Sequence, residues 1–475
     1  MRDYLVGMYH AMPPAVRNLA ATAHGYRLRR WRYGAETERL VEEALERDEW
    51  SAARWAAWSR EQLARTLDYA AANVPYYREQ WAARRRKGDR SSWERIENWP
   101  VLDKPPVRHG PRAFVALGYP GPLRAETTSG TSGQAIQIWS GRETARAWYA
   151  LVEARWRRWY GVSRRDRWAV VGSQMVAPLA QRRPPFWVWN GGLDQLYLSS
   201  YHLAPENLGH YLDALARHRI RYLWGHSSAL AMLAGEMLRR PREGVEPALV
   251  MASSEPLLAY QRKILTAGFG CPVRESYGMS EMAAAASECE HGRLHLWPEA
   301  GWLEVVDDEG RAVPPGAAGH LLSTGFLNRA QPLVRYRIGD IAALAPPGTA
   351  CPCGRNLPIL EAVEGRIADC LYAADGRPLT AASMEGVFDL DTPFTAAQLV
   401  QDTLRRVRFR YVADAPLADG LAREIARRVR ERMGDIEVLL EPVAAIERGA
   451  GGKHRTVVCL VPEGDRAGDA VIGGG

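Results

Sequence analysis

Lysine is nearly missing from this sequence: Lys87, Lys104, Lys263 and Lys453 are the only four among 62 basic residues. Arginine fills almost every position where a plain positive charge suffices. A lysine therefore marks a place suited to a compact, mobile ammonium that a planar guanidinium cannot imitate. Cysteine is also scarce, with six in 475 residues, too few for a disulfide framework. No stretch approaches the roughly 18 apolar residues that span a bilayer. Asp3, His10 and the pair Pro13-Pro14 interrupt the apolar N-terminal region, which argues against a secretory leader and makes the cytoplasm the expected location. A net charge of +7 arises from 62 basic against 55 acidic residues. That surface is mixed rather than basic, and without a recognisable nucleic-acid module no nucleic-acid partner is expected.

What is present reads as a globular chain of more than one domain. The length exceeds what one core usually supports, while 47% hydrophobic and 25% charged residues are ordinary globular values. Residues 35–90 carry apolar positions at helical spacing, among them Leu40, Val41, Ala44, Leu45, Trp55, Leu63 and Leu67. The run Arg84 to Arg90 reads as a charged loop that breaks them. From Val115 to about Leu360, short β-rich runs such as Trp168 to Gly172 alternate with helical stretches such as Pro205 to Arg219, the pattern of an α/β domain. A Pro/Gly-rich stretch interrupts it from Pro346 to Pro358. Beyond Asp369, strand candidates Val407 to Val412 and Ile436 to Leu440 flank a helix over Leu421 to Met433, an α+β piece of lid size.

Two segments carry chemistry. Thr127-Thr128-Ser129-Gly130-Thr131-Ser132-Gly133 places two glycines and five hydroxyls between the extended runs Leu123 to Glu126 and Ala135 to Trp139. Glycines let backbone N–H groups point inward as a nest for phosphate, and hydroxyls add donors that reorient. The alternative is a flexible Ser/Thr/Gly linker. No Gly-Lys-Ser/Thr follows, so this is not a Walker loop. In Glu275-Ser276-Tyr277-Gly278-Met279-Ser280-Glu281, an aromatic ring can stack a base and Glu281 can hold Mg²⁺, a cation that prefers carboxylate oxygen. The alternative is a turn into an alanine-rich helix from Ala283, with Glu281 at its N-terminus.

Together the two segments resemble the adenylate-forming superfamily of acyl-CoA synthetases, and most closely its phenylacetate–CoA ligase-like branch, which includes relatives encoded in capsular-polysaccharide clusters. Four further segments carry the likeness over roughly residues 95 to 465. Ser253-Ser254-Glu255-Pro256 resembles the adenine-contacting turn. The segment Arg335 to Asp340 resembles the one whose aspartate holds the ribose hydroxyls. The segment Glu364 to Asp369 resembles the inter-domain hinge, with Arg366 near the nucleotide and Asp369 as pivot. Gly451-Gly452-Lys453-His454-Arg455 resembles the loop bearing the adenylation lysine.

The resemblance implies an α/β large N-terminal domain with mixed sheets and flanking helices, plus a small mobile α+β C-terminal domain. The implied division is a helical region 1–94 within the large domain, a core 95–367 and a lid 368–475. It further implies ATP and Mg²⁺ as cofactors, a carboxylic acid as substrate, and nucleotide contacts through Thr128, Ser129, Gly130, Thr131, Ser132, Gly133, Ser254, Glu255, Pro256, Tyr277, Gly278, Met279, Ser280, Asp340 and Arg366. The catalytic set would be Lys453, Glu281 and Arg366. The acceptor would be CoA; an amine, a sugar or a carrier-protein thiol is the alternative, and a non-catalytic nucleotide-binding protein is a third reading. Many relatives place a lysine where this chain has Gln134, which removes a charge beside the outer phosphates.

The cysteines form a second constellation. Cys351 and Cys353 make a Cys-x-Cys turn, and Cys289 lies upstream with His291 and His295. Three thiolates and one imidazole complete a closed tetrahedral zinc site of the structural type. His295 is the expected fourth ligand, with His291 the alternative; unrelated thiols are the other reading. Trp187-Val188-Trp189 and Trp224-Gly225-His226-Ser227-Ser228 are candidates for an acyl pocket, with His226 either facing the carboxylate or satisfied in the core.

Overall fold

The structure, a computed structural model, describes residues 2–128, 135–366, 370–379, 381, 383–388, 394–413, 415–448 and 453–462. In chain order the main helices are α1 (Arg2–Ala11), α2 (Pro14–Arg32), α3 (Thr37–Arg47), α4 (Ala52–Asn73), α5 (Pro75–Arg86), α6 (Lys104–His109), α7 (Arg142–Arg155), α8 (Leu208–His218), α9 (Ser227–Arg239), α10 (Ala259–Phe269), α11 (Glu385–Phe388) and α12 (Asp419–Met433). The strands run β1 (Leu123–Thr127), β2 (Gln137–Gly141), β3 (Trp168–Gly172), β4 (Trp187–Asn190), β5 (Gln195–Ser199), β6 (Tyr222–His226) and β7 (Leu249–Ser253). They continue as β8 (Val273–Gly278), β9 (Ala285–Glu288), β10 (Leu294–Leu296), β11 (Gly301–Val306), β12 (Gly319–Gly325), β13 (Tyr336–Leu344) and β14 (Ile359–Arg366). After β15 (Leu371–Tyr372) and β16 (Pro378–Leu379) come β17 (Phe394–Thr403), β18 (Arg406–Ala413), β19 (Glu437–Pro442) and β20 (Val457–Cys459). None of the described helices is long and apolar enough to cross a membrane.

The chain folds into two compact units, each discontinuous in sequence. One comprises residues 24–164 and 274–363. Its strands follow the order β11-β12-β13-β14-β10-β9-β8, largely antiparallel. Its core gathers Leu67 and Val74 of α4 and the turn after it, with Trp99, Phe114, Leu321 and Tyr336, all at most 2% exposed. The helical reading of residues 35–90 corresponds to α3, α4 and α5, with Ser51 capping α4 by accepting from the Arg54 N–H at 3.3 Å. The charged run does not break α5 where expected. Arg84 to Arg86 continue the helix, which ends at Arg86 with Lys87 as its cap, followed by Gly88, a left-handed residue with φ 83°. Ala283 to Ala286 do not begin a helix either: Ala285 to Glu288 form β9, paired with β8 and β10. Alanine's helix preference is a weak prior, and here pairing on both edges overrides it.

Behind α7 lies a buried ionic centre of the same unit. Arg155 is 0% exposed; its Nε donates to Asp48 at 2.9 Å, and its Nη1 and Nη2 donate to Glu299 at 2.7 and 3.0 Å. The Trp159 indole N–H donates to the other Asp48 oxygen at 2.7 Å. Burial raises the Asp48 carboxyl above its ordinary range, against the pull of Arg155.

The second unit comprises residues 1–23, 165–273 and 364–475. Its strands lie in the order β7-β6-β3-β5-β4; all are parallel except β4, which is antiparallel to β5. Strands buried on both faces, joined by helices such as α8 and α9, explain the near-continuous apolar runs in their sequence. At Gly225 the strands come so close that a Cβ would stand 2.4 Å from the Val171 carbonyl oxygen, so only glycine fits. The C-terminal part adds a four-stranded sheet β19-β18-β17-β20 covered by α12. The strand and helix readings after Asp369 correspond to β18, β19 and α12. Leu258 and Tyr260 belong to that C-terminal core.

Candidate functional site

Within the first unit, two of the recognised segments meet. Strand β8 delivers Tyr277, whose hydroxyl donates to Asp340 at 2.7 Å. Asp340 is buried on β13, directly after Gly339, which turns the backbone at φ 98°. Glu281, also buried, accepts from the Tyr336 hydroxyl at 3.0 Å. Tyr277, Glu281, Tyr336 and Asp340 thus link the ends of two segments some sixty residues apart. Met282 follows at a left-handed φ of 56°, an uncommon conformation for a side-chain-bearing residue. Gly278 and Ser280 are exposed and Met279 is half-buried, so these three sit at an accessible turn. Sequence reasoning missed Lys104 at this place. A Cβ on Gly339 would stand 3.3 Å from its ammonium, and the rarity of lysine was the available signal.

Strands β1 and β2 pair antiparallel, so the hydroxyl-rich segment joins two strands as expected. Thr128 closes its base: its N–H donates to the Ile136 carbonyl and its hydroxyl accepts from the Ile136 N–H, both at 3.0 Å. Ser129, Gly130, Thr131, Ser132, Gly133 and Gln134 lie outside the described residues, as do Asp369, Gly451 and Gly452. Arg366 ends β14.

The second unit holds Lys453 and the Ser254 turn. After β7 the chain turns at Ser254, left-handed at φ 68°. Glu255 follows, with one carboxylate oxygen accepting from the Ser228 N–H of α9 at 3.0 Å and the other from the His454 N–H at 2.5 Å. Burial works to raise this carboxyl, but His226, Arg448, His454 and the Ser228 side chain hold it below its ordinary value. Arg448 donates to the Ser228 hydroxyl at 3.1 Å. His226 is 5% exposed and neither ring nitrogen has a hydrogen-bond partner among the described residues. Burial, with Lys453 and Arg448 nearby, drives its imidazole down to about 4, so it is neutral at physiological pH.

A cavity of about 850 Å³ in this unit is lined by Ser228, Met232, Glu236, Tyr260, Arg448 and His454, among others. The tryptophans expected around an acyl pocket do not line it. Trp187 packs on the apolar core and Trp189 stacks on His218 with ring centroids 4.8 Å apart, while the Trp224 indole donates to Ser253 at 2.8 Å. All three tryptophans are half-buried.

Cys289, His295, Cys351 and Cys353 converge in the first unit, their ligand atoms all within 4.8 Å of one another. Cys289 and Cys351 sulfurs are 3.7 Å apart, and Cys353 Sγ is 3.3 Å from His295 Nε2. A tetrahedron with zinc–sulfur bonds of about 2.3 Å has sulfur–sulfur edges of about 3.8 Å, so the donor set fits that ion. His295 Nδ1 faces the Leu357 carbonyl at 3.4 Å, which orients the ring and leaves Nε2 toward the thiols. His295 is fully buried, whereas His291 is exposed and outside the cluster. Burial and the neighbouring thiols push Cys351 up to about 12, the behaviour of a thiol that needs a cation to ionise.

No family model matches the chain. It is 30% identical to Protein CapK of Staphylococcus aureus over 186 residues, covering 39% of this chain and 40% of that protein. It is 29% identical to a phenylacetate–coenzyme A ligase of Thermus thermophilus over 258 residues, 48% of this chain and 58% of the relative. The chain thus spans about half the length of these curated relatives. Among solved structures, a 2-hydroxyisobutyryl-CoA ligase in the postadenylation state, in complex with R3-HIB-AMP, superposes with a TM-score of 0.67. That likeness has 20% identity and covers 87% of this chain and 91% of the other. The chain has the fold of the adenylate-forming ligases, and in sequence it is related to their phenylacetate–coenzyme A ligase-like branch.

Proposed function

We propose that this protein uses ATP to activate a carboxylic acid as an acyl-adenylate and then passes the acyl group to a thiol, that of CoA. The observation that carries this reading is the meeting of Tyr277 with Asp340 and of Tyr336 with Glu281 inside an adenylate-forming ligase fold. In the first half-reaction a carboxylate oxygen bonds to the α-phosphorus and the bond to the bridging oxygen breaks, releasing pyrophosphate. In the second, the thiol sulfur bonds to the acyl carbon, its proton is lost, and AMP leaves.

Two anions meet in the first step, so positive charge aimed at the forming bond is the main requirement. Lys453 supplies it as a compact ammonium, and Arg366 acts near the nucleotide. Asp340 accepts the ribose hydroxyls while Tyr277 stacks on the base, with Gly278, Met279 and Ser280 forming the turn beside it. Ser254 and Pro256 flank the adenine, and the residues from Thr128 to Gly133 hold the phosphates. Glu281 is the candidate ligand for Mg²⁺, which shields phosphate charge when bound. Residues 368–475 serve as the lid, pivoting at Asp369 between the half-reactions. Six cysteines in 475 residues, too few for a disulfide framework, suit a reducing cytoplasm.

Carboxylate-dependent exchange of labelled pyrophosphate into ATP is the expected result with a panel of aryl and aliphatic acids. Absence of exchange across the whole panel would reject the reading. Consumption of CoA, compared with amines, sugars and a carrier protein as acceptors, identifies the second half-reaction.

Zinc is the ion proposed for the thiol cluster, where it staples the turn at Cys351 to β10. Metal analysis is expected to give about one zinc per chain, and less than a tenth of an equivalent would remove the assignment. Burial holds the His295 imidazole down at about 4 against an ordinary 6.5. Between those values the unfolded chain binds more protons than the folded one, so this imidazole's own contribution to stability is full above pH 6.5 and falls towards pH 4. Zinc release followed with a chromophoric chelator is expected on acidification, as protons compete with the ion for the imidazole and the thiolates.

A further inference from the structure

The geometry points to Glu255 as a positioning residue for Lys453, and not as a nucleotide contact. We infer that its carboxylate clamps the backbone just after the lysine, and through it sets where the ammonium stands. The inference rests on the proposed adenylation activity and goes beyond it by assigning the device that holds the lysine in place.

Three observations lead there. Both Glu255 oxygens are engaged by backbone N–H groups, one from Ser228 on the first turn of α9 and one from His454, the residue after Lys453. A carboxylate accepting two amides is a strong, directional acceptor, and charge-assisted bonds of this kind are about twice as strong as neutral ones. Secondly, the segment beyond the lysine is itself rigidly seated. The His454 ring bonds the Ala397 carbonyl at 3.0 Å, Gln398 donates to the Arg455 carbonyl at 2.7 Å, and β20 pairs parallel with β17. Thirdly, the run Gly449-Ala450-Gly451-Gly452 separates Lys453 in sequence from a second residue bonded to α9. Arg448, immediately before it, donates to the Ser228 hydroxyl and approaches the Met232 sulfur at 3.4 Å. A lysine side chain is long and mobile, so holding its ammonium at one point needs a fixed backbone beside it. Glu255 and Arg448 both bond Ser228 on α9, which gives Arg448 and His454 one common anchor.

Substituting Glu255→Gln keeps the shape but replaces one acceptor by an NH₂ that faces an N–H donor. One of the two amides must lose its partner. Misplacing a reacting group by about an ångström can cost on the order of a hundredfold in rate. The expected result is a roughly hundredfold fall in pyrophosphate exchange at saturating ATP, with ATP affinity by titration calorimetry unchanged within about twofold. Thioester formation from pre-made acyl-adenylate should keep its wild-type rate. A matching loss of ATP affinity would make Glu255 a nucleotide contact and overturn the inference, as would an equal loss in both half-reactions or no loss in either. Hydrogen–deuterium exchange gives a test independent of turnover. The amide of His454 is expected to be protected in the wild type and to exchange at least tenfold faster in Glu255→Gln. Unchanged exchange there would overturn the clamp even if no acid supports activity; wild-type protein lacking exchange of pyrophosphate would instead reject the proposed function.

Discussion

Replacing Lys453 by alanine is expected to lower acid-dependent pyrophosphate exchange by about a thousandfold, the upper range for deleting one preorganised charge at a reacting centre. The substrate carboxylate and the α-phosphate are both anions, and their approach concentrates negative charge that water would otherwise solvate. An ammonium placed between them stabilises the transition state more than the separated substrates, so the effect falls on the rate rather than on ATP affinity. Lys453→Arg is expected to recover little. A planar fork on a different stem cannot occupy the same point, and a chain that writes arginine almost everywhere retains lysine here. Transfer of the acyl group from pre-made adenylate to CoA should survive both substitutions. Full-rate exchange by Lys453→Ala would overturn the lysine's role, whereas loss of both half-reactions together would point to misfolding.

The second large effect concerns stability. Arg155→Met should destabilise the protein by about 3–5 kcal/mol, the usual consequence of removing one partner from a buried ionic group. The methionine fills much of the volume, so a cavity is not the cause. What remains are Asp48 and Glu299, 6% and 5% exposed, without the guanidinium that holds three of their oxygens. The native Asp48 carboxyl, already raised by burial, would then lose the cation that opposes the rise and titrate further above the unfolded range. The variant is accordingly expected to lose most stability as pH rises through and beyond that range, and to regain part of it on acidification. Adding Asp48→Asn and Glu299→Gln should restore much of the loss, because the three side chains form one network and their effects are not additive. Urea unfolding monitored by tryptophan fluorescence measures all of these; a loss below about 1 kcal/mol in Arg155→Met would reject the account.

Much of this was legible in the sequence. The helices of residues 35–90, the alternation of strand and helix after Val115, and β18, α12 and β19 followed from periodicity, because burying one face requires it. The four residues of the thiol–imidazole cluster were legible too, since few donors exist and their identities are chemically distinctive. Ala283 to Ala286 were not, because alanine says little about which face is buried and neighbouring strands decided the outcome. The tryptophans of β4 were ambiguous for a related reason. A ring that lines a pocket and a ring that fills a core share one composition, and only packing separates them.

By itself, then, the sequence determined which residue types are available for chemistry: where hydroxyls and glycines cluster, where carboxylates and the scarce lysine stand, and which thiols can share a metal. Tertiary structure alone decided the partnerships. Tyr277 meets Asp340 across sixty residues, His295 rather than His291 reaches the thiols, and Glu255 turns toward the amide behind Lys453. The physical reason is range. Local preference acts over a few residues, whereas hydrogen bonds between distant segments exist only once strand order and close approach, as at Gly225, have brought their donors and acceptors to about 3 Å.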